Sequence, residues 1–136
     1  MLLFLAFITA WAAAPMVHGT IDVMATLPFI GQAAVAALLN ALWEEVAYRA
    51  APLSQLRRAI GPSAGVLILA VWFGLGHYYG GIPSGLMGAL LTGAVALLFG
   101  RAMIETRGLV WPLALHFVGD LVIYVFLALA ATGTAG

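Results

Sequence analysis

Apolar runs of about 20 residues follow one another along this chain, each long enough to cross a bilayer core of about 30 Å as a helix. That feature narrows the fold more than any motif does. Of the 136 residues, 65% are hydrophobic and 7% charged, where soluble domains carry about 25% charged residues. The expected fold is all-α: a polytopic transmembrane helix bundle of about five spans, forming a single membrane-embedded domain over residues 1–136. The formal net charge is zero and Lys is absent, which argues against nucleic acid as a partner. Cys is also absent, which removes disulfides, Cys-ligated metals and thiol nucleophiles.

The N-terminal stretch MLLFLAFITAWAAAPMVHG has an apolar core and small residues near Ala12–Ala14, as a cleaved signal does. It lacks a positive n-region and further spans follow, so it reads as a retained first span over about 2–16. The second helix is expected over about 27–51, continuing to about 57 past Pro52, which can kink it. The third is expected over about 63–79, the fourth over about 84–103 and the fifth over about 109–131. Short connections imply antiparallel neighbours. All five basic residues are arginines, and Arg57, Arg58, Arg101 and Arg107 flank the second-to-third and fourth-to-fifth connections. The positive-inside rule makes those connections cytoplasmic, with the N-terminus inside and the C-terminus outside. The expected location is a prokaryotic inner or plasma membrane.

The fourth helix carries two rows of small residues at four-residue spacing: Gly85, Ala89 and Gly93, and then Gly88, Thr92, Ala96 and Gly100. Such rows let helix backbones approach closely, here within the bundle rather than across a dimer.

Three clusters interrupt the apolar pattern: Glu44, Glu45 and Arg49 in LLNALWEEVAYRAAPL, Phe73 with His77, and His116 with Asp120. A charge at a helix centre costs about 2.5–3.5 kcal/mol on insertion scales, so such residues face the protein interior, find partners and mark function. At about 1.5 Å rise per residue, Glu44 lies roughly 20 Å from Arg57, His77 roughly 22 Å from Pro62 and Asp120 roughly 20 Å from Arg107. Measured from the Arg-bearing side, the clusters reach one level. Glu45 and Arg49, four apart, share a helix face and can pair. Glu44 points about 100° away and is the candidate general base. Asp120, four residues after His116, can orient it, and the Phe73 ring can wall a cavity beside His77. His18 and Asp22 are expected in an interfacial loop.

These residues suit amide hydrolysis. Glu44 with His77 would activate a water, and His116 with Asp120 would stabilise the oxyanion. A zinc ion held by Glu44, His77, His116 and Asp120 would activate the water equally well. GPSAG at 61–65 matches a Gly-x-Ser-x-Gly nucleophile motif, but that motif needs a strand-to-helix elbow, whereas Ser63 opens a helix. An aspartyl pair would need two deep Asp residues, and only Asp120 is deep.

EEVAYR, FGLGH and HFVGD together resemble the three signatures of the CPBP family, which includes CAAX prenyl endopeptidases and bacteriocin-processing or self-immunity (Abi) proteins. The resemblance covers about residues 40–125. It implies an intramembrane endopeptidase acting on protein or peptide substrates, with Glu44 and His77 activating water and His116 and Asp120 completing the site. Glu45, Arg49 and Phe73 would be structural support. The resemblance favours a metal-independent glutamate mechanism with no cofactor, with a metalloprotease as the alternative. The last motif ends in Asp where the family has Asn or Asp. An ionised Asp cannot donate to an oxyanion, so Asp120 would be protonated, orient His116 or bind a metal.

Two other functions compete. A non-catalytic immunity or scaffold protein of the same fold would keep its function with Glu44→Gln. A proton or ion carrier would need a polar path to both faces, and the outer halves of the helices are too apolar for one.

Overall fold

The structure is a computed structural model and describes residues 23–132. The expected first helix, its retention, His18 and Asp22 lie outside the described residues. The elements are α1 (Val23–Glu45), a π-helical turn (Val46–Ala50), α2 (Ala51–Ala59), α3 (Pro62–Tyr79), α4 (Gly85–Thr106) and α5 (Val110–Thr132). Every described element is helical, so the fold class is all-α as the composition implied. The last three helices fall within three residues of the sequence-based expectation at every end.

The second expected helix differs most. It is already helical at Val23, ahead of the expected 27, carries Pro28 in its interior, and divides in three. Pro52 has no N–H, and its ring crowds the carbonyl four residues earlier, that of Tyr48. The chain accommodates this by widening the turn at Val46–Ala50 to i→i+5 bonds. Pro52 then falls in the first turn of α2, where its missing donor costs nothing. The helical path continues instead of breaking.

Three stretches among the described residues are long and apolar enough to cross a membrane: Met24–Ala59, Gly85–Thr106 and Val110–Ala131. The helix α3 has 18 residues and ends in His77, Tyr78 and Tyr79, which lower its hydropathy below that level.

Residues group into two compact units, Trp43–Ala114 and, among the described residues, 23–42 with 115–132. Within 43–114, α3 and α4 run antiparallel with backbones in close approach. A Cβ at Gly74 would lie 2.5 Å from the Ala89 carbonyl oxygen and 3.3 Å from Gly93 Cα. One at Gly100 would lie 2.9 Å from Val66 Cγ1. Both rows of small residues on α4 therefore serve packing against α3. Leu53, Val66 and Leu69 form one buried cluster with Leu56, Met103 and Ile104, and Ala70, Phe73 and Ala96 form a second with Tyr48. Outside, Leu67, Val71, Trp72 and Leu75 are exposed, an arrangement suited to lipid rather than water.

In the other unit, Ala33, Ala37 and Ala41 are buried at four-residue spacing along α1, while Val35, Leu38 and Leu39 are exposed. Asn40 meets Asp120, and Phe29 and Gln32 share a cavity with Leu127 and Ala128, so α1 and α5 run antiparallel here. Small side chains on one stripe again allow close helix approach.

Candidate active site

The EEVAYR segment is built on the widened turn. Glu45 is fully buried and Arg49 is 2% exposed, although both are ionisable. Arg49 Nη1 donates to Glu45 Oε1, so each charge compensates the other. The guanidinium carbon also lies 4.8 Å from the Phe73 ring centroid and 5.1 Å from that of Phe99. Arg49 Nη2 is buried without a hydrogen-bond acceptor, and these ring contacts, which attract a cation at this range, accompany it. Glu44, one residue earlier, is only half-buried. The two adjacent glutamates thus occupy different environments, as their angular separation on a helix requires.

Phe73 connects this segment to His77. Its ring centroid is 4.6 Å from that of the imidazole, and the Tyr48 ring packs edge-on against it at 5.1 Å. His77 Nδ1 lies 3.2 Å from the Phe73 carbonyl oxygen. A carbonyl only accepts, so Nδ1 carries the proton in this bond, and Nε2 of the neutral ring is an acceptor. The connection after α3 approaches the other ring edge. Gly81 has φ +116°, and a Cβ there would lie 2.8 Å from His77 Cδ2. Only glycine allows both that backbone conformation and that approach.

His116 and Asp120 stand one turn apart on α5. His116 is buried at 9% exposure and Asp120 is half-buried, with His116 Nε2 3.6 Å from Asp120 Oδ1. Asn40 Nδ2 donates to the other oxygen, Asp120 Oδ2, at 3.0 Å. Both carboxylate oxygens therefore face nitrogens, an accepting arrangement. Of the three roles open to Asp120, this geometry fits orienting His116. Sequence reasoning missed Asn40. Its signal was an amide on an apolar span, one turn before Glu44.

The structure thus brings Glu45, Arg49, Phe73 and His77 into one contacting series, and His116, Asp120 and Asn40 into another. Within neither unit are three His, Asp or Glu side chains grouped as a metal ion would need. Ser63 is an exposed residue in the first turn of α3, not a strained elbow.

A buried carboxylate at Glu45 and a buried imidazole at His116, each on an apolar stretch long enough to cross a membrane, define an integral membrane protein with the functional groups of a hydrolase. A family model described as type II CAAX prenyl endopeptidase, Rce1-like, matches residues 26–122, and the chain belongs to that family. The match includes all seven motif residues, in keeping with the CPBP resemblance of the three motifs. No curated protein and no solved structure matches the chain.

Proposed function

We propose that the protein is an intramembrane endopeptidase that hydrolyses peptide bonds with a water activated by Glu44 and His77. Glu44 takes a proton from the water, and the acceptor nitrogen of His77 shares that role. The resulting hydroxide attacks the carbonyl carbon, the C=O π pair moves onto oxygen, and a tetrahedral oxyanion forms. Doubly protonated, His116 donates one N–H toward Asp120 and keeps the second for the oxyanion. The oxyanion collapses, the C–N bond breaks, and the proton held by Glu44 or His77 passes to the leaving amine.

The Glu45–Arg49 pair and Phe73 act as support, holding the carboxylate-bearing turn and the imidazole. The enzyme works as one membrane-embedded domain with a cytoplasm-facing cavity and cytoplasmic Arg-bearing connections. Its partners are the bilayer and protein or peptide substrates. The observation that carries this reading is the family match across all three motifs.

The test is peptidase activity of the purified protein, with Glu44→Gln as control and a chelator arm. Activity that disappears with Glu44→Gln and survives chelation supports the metal-free glutamate mechanism. Full activity of Glu44→Gln removes the base from this assignment. Loss on chelation, restored by Zn²⁺, replaces the mechanism with the zinc alternative.

A further inference from the structure

A cavity of about 390 Å³ opens between the first turn of α3 and the last turns of α4. It lies at the end of the span Gly85–Thr106, the level at which a membrane helix meets lipid headgroups. Its volume is in the range of small-molecule sites. The lining divides in two. Val66, Leu97 and Ile104 form an apolar wall, and Ser63, Arg101 and Glu105 supply polar groups.

Arg101 and Glu105 are a loose pair. Arg101 Nε is 3.8 Å from Glu105 Oε1, and the side chains are 74% and 69% exposed. Their opposite charges stand side by side in the same cavity, and neither is buried in the other. The guanidinium has five donors in a planar fork suited to phosphate. The carboxylate one turn later accepts hydrogen bonds but gives none.

We infer that this cavity binds a phospholipid whose headgroup is a zwitterion with a primary ammonium, the phosphoethanolamine type. The phosphate accepts from Arg101 and the Ser63 hydroxyl. The ammonium donates to Glu105. The glycerol end and upper acyl chain lie along Val66, Leu97 and Ile104. A choline headgroup fills the same space but has no N–H for Glu105. A glycerol headgroup also places its phosphate on Arg101 but brings no cation for Glu105. The site thus rejects choline lipid for its missing N–H donor and glycerol lipid for its missing cation, and it rests on no residue of the proposed catalytic set.

The test uses the purified full chain in detergent with phosphatidylethanolamine, phosphatidylcholine and phosphatidylglycerol of matched acyl chains. Retained lipid is counted by native mass spectrometry. Ethanolamine lipid should be retained about fivefold more than the other two, the scale of one interfacial charge contact. Glu105→Leu, which leaves no acceptor for the ammonium, should remove the preference over choline lipid. Arg101→Gln should lower retention of all three lipids about fivefold. Leu97→Trp, which fills the apolar wall, should lower all three as well. Equal retention of ethanolamine and choline lipid by the unaltered protein overturns the inference. So do preference for the glycerol lipid and a Glu105→Leu variant that still prefers ethanolamine. Both charged side chains are mostly exposed, so their variants test binding rather than folding.

Discussion

Buried ionisable groups are held in two different ways in the two compact units. In residues 43–114 the charges cancel within one turn of one helical stretch. Arg49 donates to Glu45 four residues away, and the rings of Phe73 and Phe99 lie against the guanidinium. In the unit formed by 23–42 and 115–132, the Asp120 carboxylate takes its hydrogen bond from a neutral amide 80 positions distant in sequence. Its other oxygen stands 3.6 Å from an imidazole nitrogen. The first arrangement is local and buried, which suits holding a shape. The second combines a neutral donor with a pair at a loose distance, which suits groups whose charge changes during a reaction. The family motifs contain both kinds, and spacing alone does not separate them.

The sharpest way to break this contrast is to remove one partner of the local pair. Arg49→Met leaves Glu45 as an uncompensated buried charge and should cost about 3–5 kcal/mol of stability. Unfolding in detergent micelles measures this. The double variant Glu45→Leu with Arg49→Met should recover most of the loss, because both desolvated charges go together. An Arg49→Met protein as stable as the unaltered one would remove the support role.

The opposite signature is expected in the other unit. Asn40→Ala removes a hydrogen bond to a carboxylate, a contact worth about 1.5–3 kcal/mol. If that bond serves chemistry, kcat falls roughly tenfold to a hundredfold with KM and the unfolding midpoint little changed. A midpoint that falls with unchanged kcat would place Asn40 with the structural residues.

These two residues also mark what was legible in the sequence. The helix ends near 62–79, 85–106 and 110–132 could be read because Gly and Pro punctuate the apolar blocks. The Glu45–Arg49 pair could be read because helical neighbours lie four apart. The π-helical turn at Val46–Ala50 could not. Its cause, Pro52, was visible, but proline permits a break, a kink or a widened turn, and an all-round apolar helix offers no periodicity to choose among them. The helical turn ahead of residue 27 was hidden for a related reason. Pro28 suggests a boundary, yet the helix carries it in its interior, at the cost of one hydrogen bond and a ring contact with the carbonyl of Met24. Asn40 escaped because its partner is on another helix, and one sequence carries no register between distant helices. The lining of His77 by Gly81 escaped because a glycine in a loop resembles any other turn glycine until its φ is known.

Gly81 tests the positioning of His77 inside the structurally held unit. Gly81→Ala forces a side chain into a φ +116° conformation and against the imidazole edge. Strain of about 1–3 kcal/mol is typical of such positions. The relief available is displacement of the ring or of the loop. We expect kcat to fall about tenfold with a small change in KM. Unchanged kcat would mean that His77 tolerates displacement and does not act on the water.

The smallest effect is expected from Asp120→Asn, and it decides what this carboxylate does. In the observed geometry one oxygen accepts from Asn40 and the other stands 3.6 Å from His116 Nε2. Asn can replace one accepting oxygen but presents an NH₂ in place of the other, and it rotates to keep the better partner. If Asp120 orients His116, the variant keeps most of that function and loses the charge-assisted part. kcat/KM should then fall by no more than about fivefold, since a neutral hydrogen bond retains about half the strength of a charge-assisted one. If Asp120 instead has to donate to the oxyanion, the amide is the better group, and kcat should rise. The sign of the change in kcat, measured beside Asn40→Ala, therefore separates an orienting carboxylate from an oxyanion donor. A rise would move Asp120 from support of His116 to direct contact with the substrate.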